Sequence, residues 1–436
     1  MDWIIVCSLL IFALMIFSGV PVPLGFLTSI IFLTVTKSLD PFSHLPVGFT
    51  SLNSVTLLSL PCFIALGYMV SGGSIARRLI NLANAIAGRI PGGLGIVACV
   101  SSAVFGAISG TAASSVIAIG TIMIPEMERH GYPRGYSAAL ISAASVLSTL
   151  IPPSVAMIMY SFVTSQSVAA CFLATFVPGV VLCALFCLAN VIMVRSMPSV
   201  EVLPQISFPE KVELITTNFR SAFGGLLLPV IILGGIYGGF MTPTESAAVG
   251  VLYAIILSLF IYREMSLGKT LLQLRASVSS TGTMMLMTFF AAILGRIYAL
   301  EQVPQLVSQW MLGLTDNHLL LLLLINCFLF FTGMIVDEVS GILLVTPLLY
   351  PVVLQLGIDP IHFAAILGVN LGMGMLTPPM AGILYIGAKT AGVTVDKMFK
   401  PLAFFILGCY LPVILLTTYW PNLSLALPHI LGFGAR

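Results

Sequence analysis

Charge is what this chain has least of. Asp, Glu, Lys and Arg make up 7% of its 436 residues, and the net charge is +2. A soluble protein of that length carries about a quarter charged residues, so lipid must be the solvent for most of this surface. The small net charge also argues against a nucleic-acid partner, which calls for a strongly basic face. The five histidines and eight cysteines form no Cys-x-x-Cys and no His–Cys spacing suited to a metal. Cys183 and Cys187 share a helix face, for which packing is the ordinary reason. A phosphate-binding loop is missing too: Gly268-Lys-Thr270 has Arg263 where the motif needs glycine. ATP is therefore not the energy source. No basic region precedes the first apolar run, so residues 3–18 read as a retained span and not as a cleaved signal.

What the chain does have is itself, twice. Residues 122–164 lie on 348–390 without a gap at an offset of 226 (351 − 125), which pairs Pro125 with Pro351, Gly131 with Gly357 and Pro152-Pro153 with Pro378-Pro379. The apolar runs 53–71 and 172–194 fall on 279–297 and 398–420 in the same register. Spans read as 3–18, 22–36, 53–71, 136–165 and 172–194, then 221–241, 245–262, 276–297, 363–388 and 401–422. Two longer runs, 93–125 and 317–354, are interrupted at Ser109-Gly110-Thr111 and between Gly333 and Gly341, a stretch that holds Asp337 and Glu338. Each is either two tight spans or one re-entrant hairpin.

Charge decides between these. With both runs as hairpins each half has five crossings, so the second half enters the membrane inverted. An N-terminus outside then puts Arg77, Arg78, Arg89, Arg129, Arg134, Arg195, Lys211, Arg220, Arg263, Lys269, Arg275, Lys389, Lys397 and Lys400 in the cytoplasm, which is fourteen of the seventeen basic residues. Lys37 and Arg436 lie outside, and Arg296 lies in a span. That distribution obeys the positive-inside rule. The expected fold is an all-α integral membrane protein of two inverted repeats, each with a re-entrant hairpin and a broken helix. Residues 1–200 form the first repeat (hairpin 93–125, broken helix 136–165), 201–220 an amphipathic cytoplasmic linker, and 221–436 the second repeat (hairpin 317–354, broken helix 363–388). Ile75–Ile90 and its counterpart 301–313 read as in-plane arms ahead of the hairpins. Arg296 and Glu301 are expected to pair near the outer interface, Lys389 to snorkel toward the inner one, and Glu245 to cap the helix after Thr242-Pro243-Thr244.

Non-helical chain survives at the bilayer midplane only where it lines a cavity. Four breaks are expected there: the two hairpin tips, Leu150–Ser154 and Leu376–Met380. A Pro-Pro pair removes two donors and frees carbonyls one turn earlier. Each break also ends one half-helix, with bare carbonyls, and starts another, with free N–H groups. Carbonyls with hydroxyls suit Na⁺, and N–H ends with Ser or Thr suit a carboxylate. The first tip is thus expected to form a cation site with Thr149–Pro153, and the second its twin with Thr377–Met380. The anionic solute sits between, touched by Ser109, Thr111, Ser154 and Asp337 or its neighbours. The plainer readings are a proline kink, small residues for close helix packing, and an Asp337 facing outer water.

These residues resemble the large membrane (M) subunit of the TRAP (tripartite ATP-independent periplasmic) transporters. The matching motifs, in family order over essentially the whole chain, are Gly106-Ala-Ile-Ser-Gly-Thr111, Ile124-Pro-Glu-Met127 with Gly131-Tyr132, Leu150-Ile-Pro-Pro-Ser154, Gly238-Gly-Phe-Met-Thr-Pro-Thr-Glu245, Gly333-Met-Ile-Val-Asp337 and Leu376-Thr-Pro-Pro379. The resemblance implies Na⁺-coupled import of an organic acid across the bacterial inner membrane. A periplasmic substrate-binding protein delivers the solute, and a small four-helix membrane (Q) subunit completes the assembly. The implied motion is an elevator. The family's sodium sites map here to Gly106, Ser109, Gly110, Thr149 and Pro152, and to Gly333, Val336, Asp337, Thr377, Pro379 and Met380; Gly110 joins the solute contacts. At the first tip Ser-Gly-Thr stands where the family more usually has Ser-Gly-Ser. The general look is closer to the sialic-acid branch than to the C4-dicarboxylate branch. A one-component Na⁺/anion symporter, a membrane enzyme and a channel are the competing readings. An enzyme is disfavoured because the His or paired acids it wants at helical spacing are missing.

Overall fold

The computed structural model describes residues 3–202, 204 and 206–433. Arg436, the second basic residue of the outer face, lies outside the described residues, as do positions 203 and 205 of the linker. Two short helices open the chain, α1 (Trp3–Phe17) and α2 (Val22–Thr36). α3 (Pro41–Leu52) follows, started by Asp40, whose carboxylate accepts the Phe42 N–H at 3.0 Å. α4 (Ser59–Gly72) turns by 66° into α5 (Ile75–Ala87), the expected arm. α6 (Gly93–Ser109) and α7 (Ala112–Arg129) make the first hairpin. α8 (Arg134–Ser145), the single turn α9 (Leu147–Leu150) and α10 (Val155–Thr164) make a helix broken at the proline pair and bent there by 42°. α11 (Val168–Val194) closes the first half.

The second half repeats this order. α12 (Phe208–Tyr237), α13 (Pro243–Ile256) with a π-turn at Leu257–Ile261, and α14 (Leu267–Leu300) lead to the arm α15 (Val303–Leu312). α16 (His318–Ile335) and α17 (Glu338–Gln355) form the second hairpin, α18 (Pro360–Gly374) and α19 (Gly382–Ala391) the second broken helix. α20 (Asp396–Phe405), a π-turn at Ile406–Tyr410 and α21 (Leu411–Tyr419) mirror α11, and α22 (Asn422–Ile430) ends the fold. The offset of 226 carries the ends of α7 onto those of α17 (338 − 112, 355 − 129). Both Pro152-Pro153 and Pro378-Pro379 are cis.

Seven helices among the described residues are long and apolar enough to cross a bilayer, and the two bent pairs add to them. α4 lies against α13 and α14, α14 also covers α2 and α3, and α5 packs on both α12 and α6. α16 packs on α18, α19 lies across both α7 and α8, and α17 covers α10. All residues of α8 after Arg134 and all of α18 after Pro360 are buried, so the inner pieces of both broken helices are walled in by protein. Leu10, Leu14, Leu252, Val278 and Leu407 point outward instead, which is the surface a lipid solvent selects.

Residues 208–220 form the first turns of α12, started by a capping box in which Glu210 bonds back to Ser207. Thr242 and Glu245 form a second box at the start of α13. Thr242→Ala should cost about 1 kcal/mol, read as a small drop in melting temperature with uptake intact. Glu301 pairs with Lys37 at 2.8 Å, and not with Arg296: α14 ends at Leu300, which frees Glu301 to turn toward the end of α2.

Candidate functional site

At the first tip α6 stops because Gly110 adopts φ 64°, ψ 9°, which a side chain resists. Its N–H donates to Gly106 O at 3.0 Å, and its carbonyl accepts the N–H of Val155, the first residue of α10, at 3.3 Å. A Cβ on Gly110 would sit 2.8 Å from the Pro153 carbonyl, and one on Gly106 2.4 Å from Ser148 Cα. Tip and break are thus in backbone contact, which only small residues permit. The second tip repeats this: Met380 N–H donates to Met334 O at 3.1 Å, and Gly333 and Gly374 meet with no room for a Cβ on either.

The expected residues divide by environment. Gly106 lies against Ser148 and Gly110 against Pro153, while the backbone of Ser109 lies against Gly67 of α4; residues 151–160 are all buried. The Ser109 hydroxyl is buried there with no hydrogen-bond partner. With no N–H on Pro152 or Pro153, the carbonyls of Ser148 and Thr149 lose their helical donors. Ser154 caps α10, accepting the Met157 N–H at 3.4 Å. Thr111 starts α7 without a side-chain cap, so that helix end keeps free N–H groups.

The second junction is more open. Val336 and Asp337 connect the hairpin arms, and the Asp337 carboxylate caps α17 through the Ser340 N–H at 3.4 Å and the Ser340 hydroxyl. Thr377 is half-buried and donates to Met373 O at 3.1 Å, and the exposed Pro379 accepts from Tyr385 through its carbonyl at 3.1 Å. A cavity of about 390 Å³ is bounded by Gly333, Val336, Asp337, Met380, Ala113 of the first hairpin and Pro21 of the α1–α2 turn. The tips therefore differ in charge. The first offers a bare helix N-terminus, which favours an anion, and the second an anionic carboxylate, which favours a cation.

One site residue escaped the sequence reading. Glu338, at the start of α17, is 4% exposed, and its carboxylate lies against the Thr149 hydroxyl from the other half of the chain. The available signal was a second acid in an apolar run.

Paired hairpins and paired broken helices joined at two tip-to-break junctions define a two-repeat membrane transporter fold. The solved Alcanivorax borkumensis YdaH transporter shares it, with a TM-score of 0.65 over 87% of this chain and 88% of that one, at 14% identity, a likeness of fold alone. Residues 9–423 match the family described as tripartite ATP-independent periplasmic transporter, DctM component, and the chain belongs to that family. The C4-dicarboxylate TRAP transporter large permease protein DctM of Pseudomonas aeruginosa is 36% identical over 379 residues, 87% of each chain. The isethionate TRAP transporter permease protein DctMQ of Oleidesulfovibrio alaskensis is 33% identical over 422 residues, 95% of this chain. This chain spans 65% of that relative's length.

Proposed function

We propose that this chain carries an organic acid across the bacterial inner membrane, coupled to Na⁺ and with its N-terminus in the periplasm. In this reading residues 1–200 and 221–436 are the inverted copies, joined by 201–220. The observation that carries the proposal is the first junction, where the buried Ser109 hydroxyl has no hydrogen-bond partner and Pro152-Pro153 leave two carbonyls without helical donors. Oxygen ligands without donors are what a hard monovalent cation requires.

One Na⁺ is held by Gly106, Ser109, Gly110, Thr149 and Pro152, and a second by Gly333, Val336, Asp337, Thr377, Pro379 and Met380. The solute's acid group sits on the uncapped α7 N-terminus, touching Ser109, Gly110, Thr111 and Ser154. Asp337 faces the same space and orients the rest of the solute. Na⁺ binds first and neutralises the carbonyl ends. A periplasmic binding protein then delivers the solute, and the body of hairpins and broken helices slides inward past the remaining helices and a small four-helix subunit. Each charge moved inward gains about 2.3 kcal/mol per 100 mV. Membership of a transporter family supports this reading over an enzyme.

The test is reconstitution with the small subunit and the binding protein under an imposed Na⁺ gradient, screening labelled sialic acid, C4-dicarboxylates and sulfonates. Uptake that follows the gradient and needs the binding protein is expected, with sialic acid the preferred solute. Uptake indifferent to Na⁺ would remove the coupling. Uptake without the binding protein would make this a one-component symporter, and unsaturable flux without it a channel.

A further inference from the structure

We propose that Arg77 and Lys269 form a release site for the solute's acid group on the cytoplasmic side, at the end of a path that descends one row of α7 from the solute cavity. The inference rests on inward transport of an anion with the N-terminus outside. It adds a second, weaker anion site to the one at the tips.

α7 starts at the first tip, where its uncapped N-terminus favours an anion, and ends at Arg129. Apart from Glu128, its exposed residues are Ile117, Thr121, Pro125 and Arg129, and Ala113, one turn before them, is half-buried. Residues four apart on a helix are neighbours, so these five form one row. The row covers about 24 Å at 1.5 Å per residue. Each step of it opens into a cavity. Ala113 bounds the solute cavity at the second tip. Ile117 and Thr121 line a cavity of about 460 Å³, together with Gly72, Ser74, Arg77 and Lys269. Thr121, Pro125 and Arg129 line another of about 410 Å³, against Arg77, Asn81 and Asn84 of α5. Arg77, Thr121 and Ile122 belong to both, so the two are halves of one crevice with Arg77 between them.

The charges of this crevice do not cancel. Glu264 is held by Arg78, which also donates to Ser221 and lies over the Tyr262 ring at 4.0 Å. Glu126 pairs with Arg129 at 3.4 Å and lies 3.8 Å from His130. Among the described residues Arg77 and Lys269 form no ion pair. Two exposed cations are therefore left over. A guanidinium presents a fork that matches a carboxylate, and a cleft with low-dielectric walls concentrates its field. Water competes at such a site, so binding is weak. That suits release: the site draws the acid off the α7 N-terminus without retaining it.

Thr121→Cys, compared with the wild-type chain to subtract the native cysteines, reads the crevice directly. In phosphatidylcholine vesicles at low salt, an anionic methanethiosulfonate reagent supplied from the cytoplasmic side is expected to label the introduced thiol about tenfold faster than a cationic one. Arg77→Gln in that background removes the preference, Arg77→Lys keeps most of it, and added salt erases it by screening. In the complex with the small subunit and the binding protein, Arg77→Gln is expected to lower maximal uptake about fivefold, with half-saturating external solute unchanged. Lys269→Gln gives a smaller loss. A preference that persists in Arg77→Gln, unchanged maximal uptake, or a loss that appears in half-saturating solute instead overturns the proposal. A preference abolished by mixing anionic phosphatidylglycerol into the vesicles also overturns it, in favour of a lipid headgroup. Labelling from the outer side alone overturns the orientation on which the idea rests. Wild-type uptake with no Na⁺ dependence overturns the coupling and leaves this site standing.

Discussion

On the Na⁺ coupling proposed above, leucine in place of Ser109 is expected to lower uptake roughly 100-fold while the protein still inserts and assembles. That factor corresponds to about 3 kcal/mol of combined ligand loss and overpacking. The hydroxyl is buried, without a partner, on the residue before the left-handed Gly110, and a larger side chain there pushes the tip away from Pro153 and Val155. Ser109→Ala separates the two causes. Deleting a hydroxyl that bonds to nothing in the protein leaves folding stability unchanged or slightly raised. On the proposed coupling it also removes a cation ligand, so half-saturating Na⁺ is expected to rise while the melting temperature holds. Wild-type Na⁺ affinity in the alanine variant would return Ser109 to a packing role. Thr377→Leu is the matching change at the other junction, with a smaller stability cost because that site is only half-buried.

Valine at Gly374 has the largest expected effect on folding. A Cβ there would lie 2.4 Å from the Gly333 carbonyl carbon and 2.5 Å from its Cα. Backbone cannot yield as a flexible side chain does, so the second hairpin must separate from its broken helix. The expected loss is about 3 kcal/mol or more. It reads as a melting temperature several degrees lower and as poor yield from membranes. Gly106→Val, 2.4 Å from Ser148 Cα, is expected to match it in the first half. Gly282→Val serves as control, since nothing stands within 4 Å of its Cβ position. Equal melting temperatures for the Gly374 and Gly282 variants would mean that these junctions are not tightly packed.

Much of this arrangement could be read from residue types, because lipid leaves few ways to place polar or non-helical chain. Ser109-Gly110-Thr111 and the two proline pairs mark all three places where α6 ends, α9 ends and α18 gives way to α19. The second tip was read as a nine-residue stretch, yet the helices there are broken only at Val336 and Asp337. Glu338 was overlooked for a geometric reason. Successive helical residues point about 100° apart, so packing of α17 on α10, not composition, decides that Asp337 turns outward and Glu338 inward. α3 and α22 are short and mixed in polarity, and the partner of Glu301 depends on where α14 stops. None of these has a periodic signature. The candidate site was legible as segments, but which hydroxyl is left bare and which acid is enclosed is a property of the packing.

α12 and α14 run for 30 and 34 residues, about 45 and 51 Å at 1.5 Å per residue, against a hydrocarbon layer of about 30 Å. Their surplus length lies at their N-terminal ends, which carry Lys211 and Arg220, and Lys269 and Arg275. Drawing either charged end one turn into the membrane would bring such ions toward oil, at up to about 3 kcal/mol each. Both rods are in effect pinned at their wet ends like piles driven to a fixed depth.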